Sequence, residues 1–314
     1  MQTVLKVIAE QLILADGEVR RLFHGRGRCY PGFDQVIIDL LPPVAIIRLF
    51  DEIEPGYLEQ LEQFFRQLDA DLRPKIVLVQ HRYRREDGIE VLWDELAGGL
   101  PDHIEVQELG LKYRVKPLKN QNSGLFLDMR EGRRWVKDNA AGKRVLNLFA
   151  YTCGFSIAAI AGGAEKVVNL DMSKGALNTG RENHRLNQHP MQKVSFLGHD
   201  LFRSWGKLKR EGPYEVVIID PPSFQRGSFV ASNDYKKVLR KLPDLTVPGS
   251  QVLTCLNSPQ LETDFLHQLM QECCPEFTFT KRIDNPVDFP DADPEQALKV
   301  LLFTRTDDAV SVTR

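Results

Sequence analysis

Four apolar runs in the second half of the chain each end in residues that can hold or orient a ligand. Val145-Leu146-Asn147-Leu148-Phe149 leads into Ala150-Tyr151-Thr152-Cys153-Gly154-Phe155-Ser156, a turn rich in small and polar residues. Backbone N–H groups in such a turn, and at the start of a helix after it, can approach a ligand closely. Residues 166–170 end in Asp171-Met172-Ser173, residues 194–197 lead to His199-Asp200-Leu201, and residues 215–219 end in Asp220-Pro221-Pro222-Ser223-Phe224. No GxGxxG occurs, so the turn suits a smaller nucleoside ligand bearing a carboxylate rather than a dinucleotide. An acidic residue about 20 residues past the turn can accept both ribose hydroxyls. Asp200 can accept from an adenine amino group. A single strand-end aspartate is more often a helix cap or turn former; four polar strand ends in succession point to one site.

The segment Asp220-Pro221-Pro222-Ser223-Phe224 suits chemistry on a flat, polar-edged substrate. Paired prolines stiffen the backbone. Phe224 can stack a base taken out of its helix, and Asp220 or nearby carbonyls can orient its edge. Ser223, Arg226 and Tyr235 flank a polar loop, 227–233, able to close over a substrate, and Asn257 follows the apolar run 251–256. Cys255 is the thiol best placed for nucleophilic catalysis, but inside an apolar strand it reads as core. Cys153 reads as a small side chain lining the ligand.

The elements that must position these groups follow from periodicity. From residue 128 onward, strands at 144–149, 166–170, 194–197, 215–219, 251–256 and 300–304 alternate with helices at 129–139, 156–161, 175–187, 234–241 and 260–274. Alternating strand and helix implies a doubly wound, mostly parallel sheet, which binds ligands at the carboxyl ends of its strands. The first half reads strand-strand-helix-strand-strand over 36–40, 44–50, 55–68, 76–79 and 89–93, followed by a hairpin at 104–108 and 112–116. The expected organisation is a small α+β domain over 1–119 and an α/β domain over 120–314.

The chain has 314 residues, 42% apolar and 27% charged, with a formal net charge of −2. That is enough to build a sizeable core and gives no global basic excess for nucleic acid. The basic clusters are local: Arg20, Arg21, His24, Arg26 and Arg28; His81-Arg82-Tyr83-Arg84-Arg85; and Lys112, Arg114, Lys116 and Lys119. Such clusters can track phosphates or be solvated surface. Five scattered cysteines without a CxxC pair imply reduced thiols, no metal site and a cytoplasmic home. Neither a signal peptide nor an apolar stretch near the ~18 residues of a membrane span is expected.

The turn Asn147–Ser156, Asp171-Met172-Ser173, Asp220-Pro221-Pro222-Ser223-Phe224 and Ser123-Gly124-Leu125-Phe126-Leu127-Asp128-Met129-Arg130 together resemble motifs of class I methyltransferases acting on bacterial 23S rRNA. The resemblance spans roughly residues 110–307 and more faintly the first half; the RNA-binding module that such enzymes often carry further N-terminally is not expected here. It implies a seven-stranded Rossmann-like sheet with S-adenosylmethionine (SAM) as cofactor. It further implies a cofactor set of Phe126, Asp128, Arg130, Asn147, Phe149, Ala150, Tyr151, Thr152, Cys153, Gly154, Asp171, Met172, Ser173, Asp200, Leu201 and Asp220. Asp220, Pro221, Pro222 and Phe224 would serve catalysis, and Ser223, Arg226, Tyr235 and Asn257 the substrate. The implied activity is methyl transfer to a base in RNA. Within the family, an Asn at 257 resembles the 7-methylguanine branch rather than the 5-methylcytosine branch. A methyltransferase for a small molecule or protein, or a non-catalytic RNA-binding factor of the same fold, are the alternatives.

Overall fold

The computed structural model describes residues 1–84, 88–96, 99–117, 123–222, 224–225 and 229–306. The chain forms two compact units, Met1–Asp128 with Pro286–Asp293, and Met129–Asn285 with Pro294–Arg314. The boundary expected after residue 119 thus falls inside the first unit. The backbone turns back there, with Lys116 N–H donating to Ser123 O at 2.7 Å, and residues from Ser123 to Asp128 line a hollow of that unit.

The first unit contains α1 (Gln2–Ile13), β1 (Arg20–His24), β2 (Val36–Leu41), β3 (Val44–Leu49), α2 (Tyr57–Gln67), β4 (Ile76–His81), β5 (Gly88–Asp94) and the hairpin β6 (Ile104–Glu108) and β7 (Leu111–Val115). β1 to β5 lie in chain order in one sheet; only the β3–β4 pair is parallel, as a crossover through α2 requires. Val4, Ile8 and Leu12 of α1 and Tyr57, Leu61 and Phe65 of α2 recur at helical spacing and cover one sheet face, packing on Leu22, Ile38, Ile47, Val77 and Val79. The alternate residues point to the other face. There, Arg21 of β1 stands opposite Asp39 of β2, and Arg48 of β3 opposite Gln80 of β4. Helix α1 and strand β1 were not expected. The first arginine cluster, expected to track phosphates or to be solvated, is in part a strand, because Arg21 finds a buried carboxylate.

The second unit contains α3 (Arg130–Asn139), β8 (Arg144–Leu148), α4 (Gly154–Ala161), β9 (Lys166–Leu170), α5 (Lys174–Leu186), β10 (Val194–Leu197), α6 (Trp205–Glu211), β11 (Tyr214–Ile219), the short strands β12 (Phe224–Gln225) and β13 (Phe229–Val230), α7 (Ala231–Leu239), α8 (Leu242–Leu245), β14 (Thr246–Leu256), α9 (Thr263–Cys273), β15 (Phe277–Ile283) and β16 (Lys299–Arg305). The seven-stranded sheet has the order β10-β9-β8-β11-β14-β16-β15. β10 through β14 pair in parallel, and β16 and β15 add antiparallel. Val216 to Ile219 are buried on both faces, the mark of a central parallel strand. Each such side chain contributes roughly 1.5–3 kcal/mol. Edge strand β15 escaped the sequence reading, since its middle residues are exposed and polar.

A buried polar chain runs between the sheet and α4 and α5. Asn147 and Asn169 are direct cross-strand partners. Asn147 Nδ2–H donates to Asn169 Oδ1 at 2.9 Å, and Asn169 Nδ2–H donates to Ser156 Oγ at 2.9 Å. Ser156 Oγ–H then faces His184 Nε2 at 2.9 Å, and His184 Nδ1 lies 3.0 Å from His189 Nδ1. Neutral imidazoles satisfy the whole chain, each nitrogen contact sharing one proton. Burial, then the His189 charge, depresses the His184 pKa to about 3. In the first unit, burial and then Arg21 depress His24 to about 3. A folded-state value below the unfolded one means stability is complete above pH 6.5 and is lost as pH falls toward 3. At pH 5 the loss is about 2 kcal/mol per histidine. Urea unfolding of wild type and His184→Gln at pH 7.5 and pH 5 should therefore show wild type losing about 2 kcal/mol more across that interval; a pH-independent difference contradicts the buried neutral imidazole.

Candidate active site

The chain leaves β8 for β9 and β10 on one side, then returns across it to β11. The carboxyl ends of β8 and β11 therefore diverge at the point where strand order reverses, and a crevice forms at such a point. The turn after β8 carries three non-glycine residues in the left-handed region: Phe149 (φ 58°), Tyr151 (φ 46°) and Cys153 (φ 67°). Each costs on the order of 1–2 kcal/mol, so something must hold them. Asp171, at the end of β9, does so: Oδ2 accepts from Tyr151 N–H at 2.8 Å while Oδ1 accepts from Ser173 N–H at 2.7 Å. Ala150 N–H donates to Leu170 O at 3.0 Å and Cys153 N–H to Ala150 O at 2.7 Å.

With those N–H groups spent inside the turn, the N–H groups of Gly154, Phe155 and Ser156 are the ones with no carbonyl one turn earlier in α4. A carboxylate is the natural acceptor at such a helix start. Helix α5 crosses very near: a Cβ on Gly180 would lie 2.4 Å from Cys153 Sγ, so only glycine fits there. Cys153 and Thr152 are buried, and Tyr151 and Phe149 half-buried. Burial, then Asp171, pushes the Cys153 thiol up, which leaves it an unreactive packing group.

Asp171 is half-buried, and each of its oxygens retains a lone pair beyond the backbone bond. Met172 beside it is 56% exposed, and Ser173 caps α5 by accepting from Ala176 N–H at 3.2 Å. Asp200, after β10, accepts from Phe202 N–H at 2.8 Å and starts a helical turn, with Leu201 buried beneath. Both aspartates thus serve as turn formers as well as strand-end acids. Asp220, half-buried, ends β11, followed by buried Pro221 and half-buried Pro222. Asn257 stands exposed just past β14. Side chains able to accept ribose hydroxyls and an amino group, beside a helix start able to receive a carboxylate, fit the chemistry of S-adenosylmethionine. Among the described residues, no group of three or more His, Cys, Asp and Glu side chains is arranged to hold a metal ion, and no helix is long and apolar enough to cross a membrane.

Two expected ligand contacts, Asn147 and Tyr235, are buried. Asn147 is 1% exposed and committed to Asn169, so it sets strand register beneath the turn. Tyr235 is fully buried, with its hydroxyl 3.2 Å from Ile219 O and 3.0 Å from Cys255 O. It braces the ends of β11 and β14 instead of facing a substrate, because the helical spacing of α7 turns it inward. Phe126 and Asp128 belong to the first unit and line its hollow, while Arg130 opens α3 in the second. Ser223 and Arg226 lie outside the described residues, as does the side chain of Phe224, whose backbone forms β12. Cys255 is core, packed with Leu253 and Val300.

The basic clusters are partly structural. Arg28 pairs with Asp291 at 2.9 Å, and His81 Nε2 sits 3.1 Å from a Glu90 carboxylate oxygen. Arg85 and Lys119 lie outside the described residues. Sequence reasoning missed Arg48, Asn169 and His184. Arg48 and Asn169 had a signal, a polar residue inside an otherwise apolar strand.

A doubly wound sheet with an acid-lined strand edge and no glycine fingerprint defines a nucleoside-binding α/β domain of the methyltransferase type. The chain belongs to the S-adenosylmethionine-dependent methyltransferase family, whose sequence model matches residues 20–304. Its cofactor is accordingly S-adenosylmethionine. Ribosomal RNA large subunit methyltransferase I of Aeromonas salmonicida is 31% identical over 194 residues, covering 60% of this chain and 49% of the relative. The protein of that name from Photobacterium profundum is 31% identical over 216 residues, covering 66% and 54%. The chain thus spans about half the length of the curated relatives it matches. Among solved structures, SMU.776 complexed with SAH superposes with a TM-score of 0.82 at 23% identity, over 96% of this chain and 81% of that one. The complex of aTrm5 with tRNALeu gives 0.58 at 19% identity, over 86% and 72%. Both likenesses carry the fold.

Replacing Tyr235 by Phe leaves the carbonyls of Ile219 and Cys255 without their buried donor. The expected cost is about 1–2 kcal/mol in urea unfolding; an unchanged midpoint would mean the hydroxyl braces nothing.

Proposed function

We propose that this chain transfers a methyl group from S-adenosylmethionine to a base in RNA, with 23S rRNA the favoured substrate. One observation carries the reading. The strained turn after β8 and the carboxylates Asp171, Asp200 and Asp220 occupy four adjacent strand ends at the switch point of the sheet. The names of the relatives and the RNA in the aTrm5 complex support RNA as acceptor. A ribosomal substrate in turn supports a cytoplasmic location.

When bound, the cofactor supplies a methyl group on a positively charged sulfur, which leaves readily once an acceptor is aligned. The protein's task is then positioning and water exclusion. Asp171 would accept from the ribose hydroxyls with its remaining lone pairs. Ala150 to Gly154 would flank the methionine end, with the open N–H groups of α4 toward its carboxylate. Asp200 and Leu201 would border the adenine. Asp220, held by Pro221 and Pro222, would orient the acceptor's edge, with Phe224 stacking its ring and Asn257 contributing from β14. With Cys255 in the core and Cys153 held neutral, these strand ends favour a ring nitrogen over a pyrimidine carbon, which needs an attacking thiolate.

Asp171→Ala should weaken S-adenosylmethionine binding at least tenfold by calorimetry, roughly the loss of one charge-assisted hydrogen bond. Asp220→Ala should keep the cofactor and lose methyl transfer about a hundredfold or more. The acceptor is tested with rRNA from a strain lacking the gene and a radiolabelled donor. Label should enter 23S rRNA from that strain and not from its parent, and a methylation map identical in both strains would falsify the RNA assignment.

A further inference from the structure

Strand β14 of the second unit ends at Leu256, and Asn257 follows it, exposed. Two buried polar tips hold the backbone on either side of Asn257. The Tyr235 hydroxyl lies 3.0 Å from Cys255 O, two residues before it, and Lys299 Nζ–H donates to Ser258 O at 2.9 Å, directly after it. Lys299 opens β16, whose antiparallel pairing sets it opposite Leu256 at the carboxyl end of β14. Strand alternation gives its side chain the face of Leu301 and Phe303, which pack in one cluster with Tyr235, Leu256 and Leu266. Lys299 is 0% exposed.

A buried ammonium is costly to keep, and an apolar side chain would suit a face shared with Leu301 and Phe303. What the ammonium supplies is several donors on a long stem. Besides Ser258 O, it donates to Ala297 O at 3.2 Å, so one side chain ties the loop after β14 to the segment entering β16. A second tie joins the far ends of the same two stretches. Arg282 of β15 donates Nη1–H to Glu295 Oε1 at 2.9 Å and Nη2–H to Pro294 O at 2.6 Å, and Glu295 accepts from Thr263 N–H at 2.6 Å and Thr263 Oγ1–H at 2.8 Å. Residues 294–299 are thus fastened at both ends to residues 258–263. Loops after strands are ordinarily the mobile parts of a sheet; this one is fixed where it carries Asn257. Thr254 pairs in register with Ile219, which sets this strand end beside the one that carries Asp220.

We infer that Lys299 is a positioning residue for methyl transfer: from the core it fixes the strand end that carries Asn257, and so sets the Asn257 amide against the acceptor base. This assignment rests on the RNA reading above. An amide offers a donor and an acceptor side by side, the complement of a base edge that carries both. It can hold such an edge only if its backbone does not drift, since misplacement by about 1 Å can cost roughly a hundredfold in rate. Being fully buried, Lys299 meets no substrate itself and acts through the carbonyl of Ser258.

The test measures transfer of a radiolabelled methyl group by the full chain to 23S rRNA from the strain lacking the gene. Asn257→Ala should lower kcat about tenfold, the loss of one hydrogen bond. Lys299→Met keeps the stem and removes the ammonium. It should lower kcat by about the same factor, with the KM for RNA and the calorimetric affinity for S-adenosylmethionine within about twofold of wild type. In the double variant the losses should not multiply: adding Lys299→Met to Asn257→Ala should change kcat less than about twofold. A loss of about a hundredfold in the double variant overturns the assignment, because independent effects multiply. So does a Lys299→Met variant with wild-type kcat, or one whose loss is confined to KM. Arg282→Met loosens the same segment from its half-buried end and carries the test if Lys299→Met fails to bind S-adenosylmethionine. Its smaller loss should likewise vanish in the Asn257→Ala background; no loss, or one that persists there, overturns the assignment. Wild-type transfer with kcat untouched by Asn257→Ala sinks this assignment alone, whereas no transfer by wild type sinks both it and the RNA reading.

Discussion

The second unit depends on one carboxylate bridging two turns. Asp171 accepts from Tyr151 N–H and from Ser173 N–H, and so joins the loop after β8 to the loop after β9. With the Ala150–Leu170 and Cys153–Ala150 backbone bonds, it opposes the tendency of Phe149, Tyr151 and Cys153 to leave the left-handed region. The close crossing of α5 at Gly180 wedges the same turn from the other side. Strain and restraint together fix a backbone path at the edge of the sheet. A turn held in this way can present donors to a ligand without reorganising when the ligand arrives.

Beneath that turn, register is set by polar residues in apolar strands. A one-residue slip in a strand turns every side chain to the opposite face. Asn147 and Asn169 penalise such a slip strongly, because each would lose a buried partner. Arg21, Asp39, Arg48 and Gln80 do the equivalent in the first unit, across four strands. Apolar packing sets how much each sheet buries, and these polar rows restrict which pairing buries it.

Much of this architecture was legible from periodicity and strand ends. Alternating runs located β8 to β11 within a residue or two and the second half of β14, because strands buried on both faces read as unbroken Val, Ile and Leu. The strand-end aspartates were legible for the same reason. Other features had no local signal. Strand β15 is an exposed edge rich in Thr, Lys and Arg, and β1 is an arginine pair whose partner carboxylate lies in the next strand. The joining of Pro286–Asp293 to the first unit is a tertiary contact between distant segments, seen in Arg21 N–H donating to Asp288 and in Ala292 N–H donating to Gly27 O. Tyr235 misled because a tyrosine beside a polar loop looks the same in sequence whether its hydroxyl meets a substrate or two strand-end carbonyls.

The two buried polar systems differ in a way that bears on function. In the second unit the chain from Asn147 to His189 is neutral, and each link can be satisfied by one consistent set of protons. A closed neutral chain gains nothing from a ligand and acts as structure. In the first unit the row is charged, with Arg21 and Arg48 paired to Asp39 beside a hollow that a second carboxylate, Asp128, also lines. Replacing a satisfied buried ion pair with apolar residues is often neutral or stabilising, so stability alone is a weak reason to keep charges there. Strand register supplies a stronger one, since a one-residue slip between β1 and β4 would leave each of these buried charges without its partner.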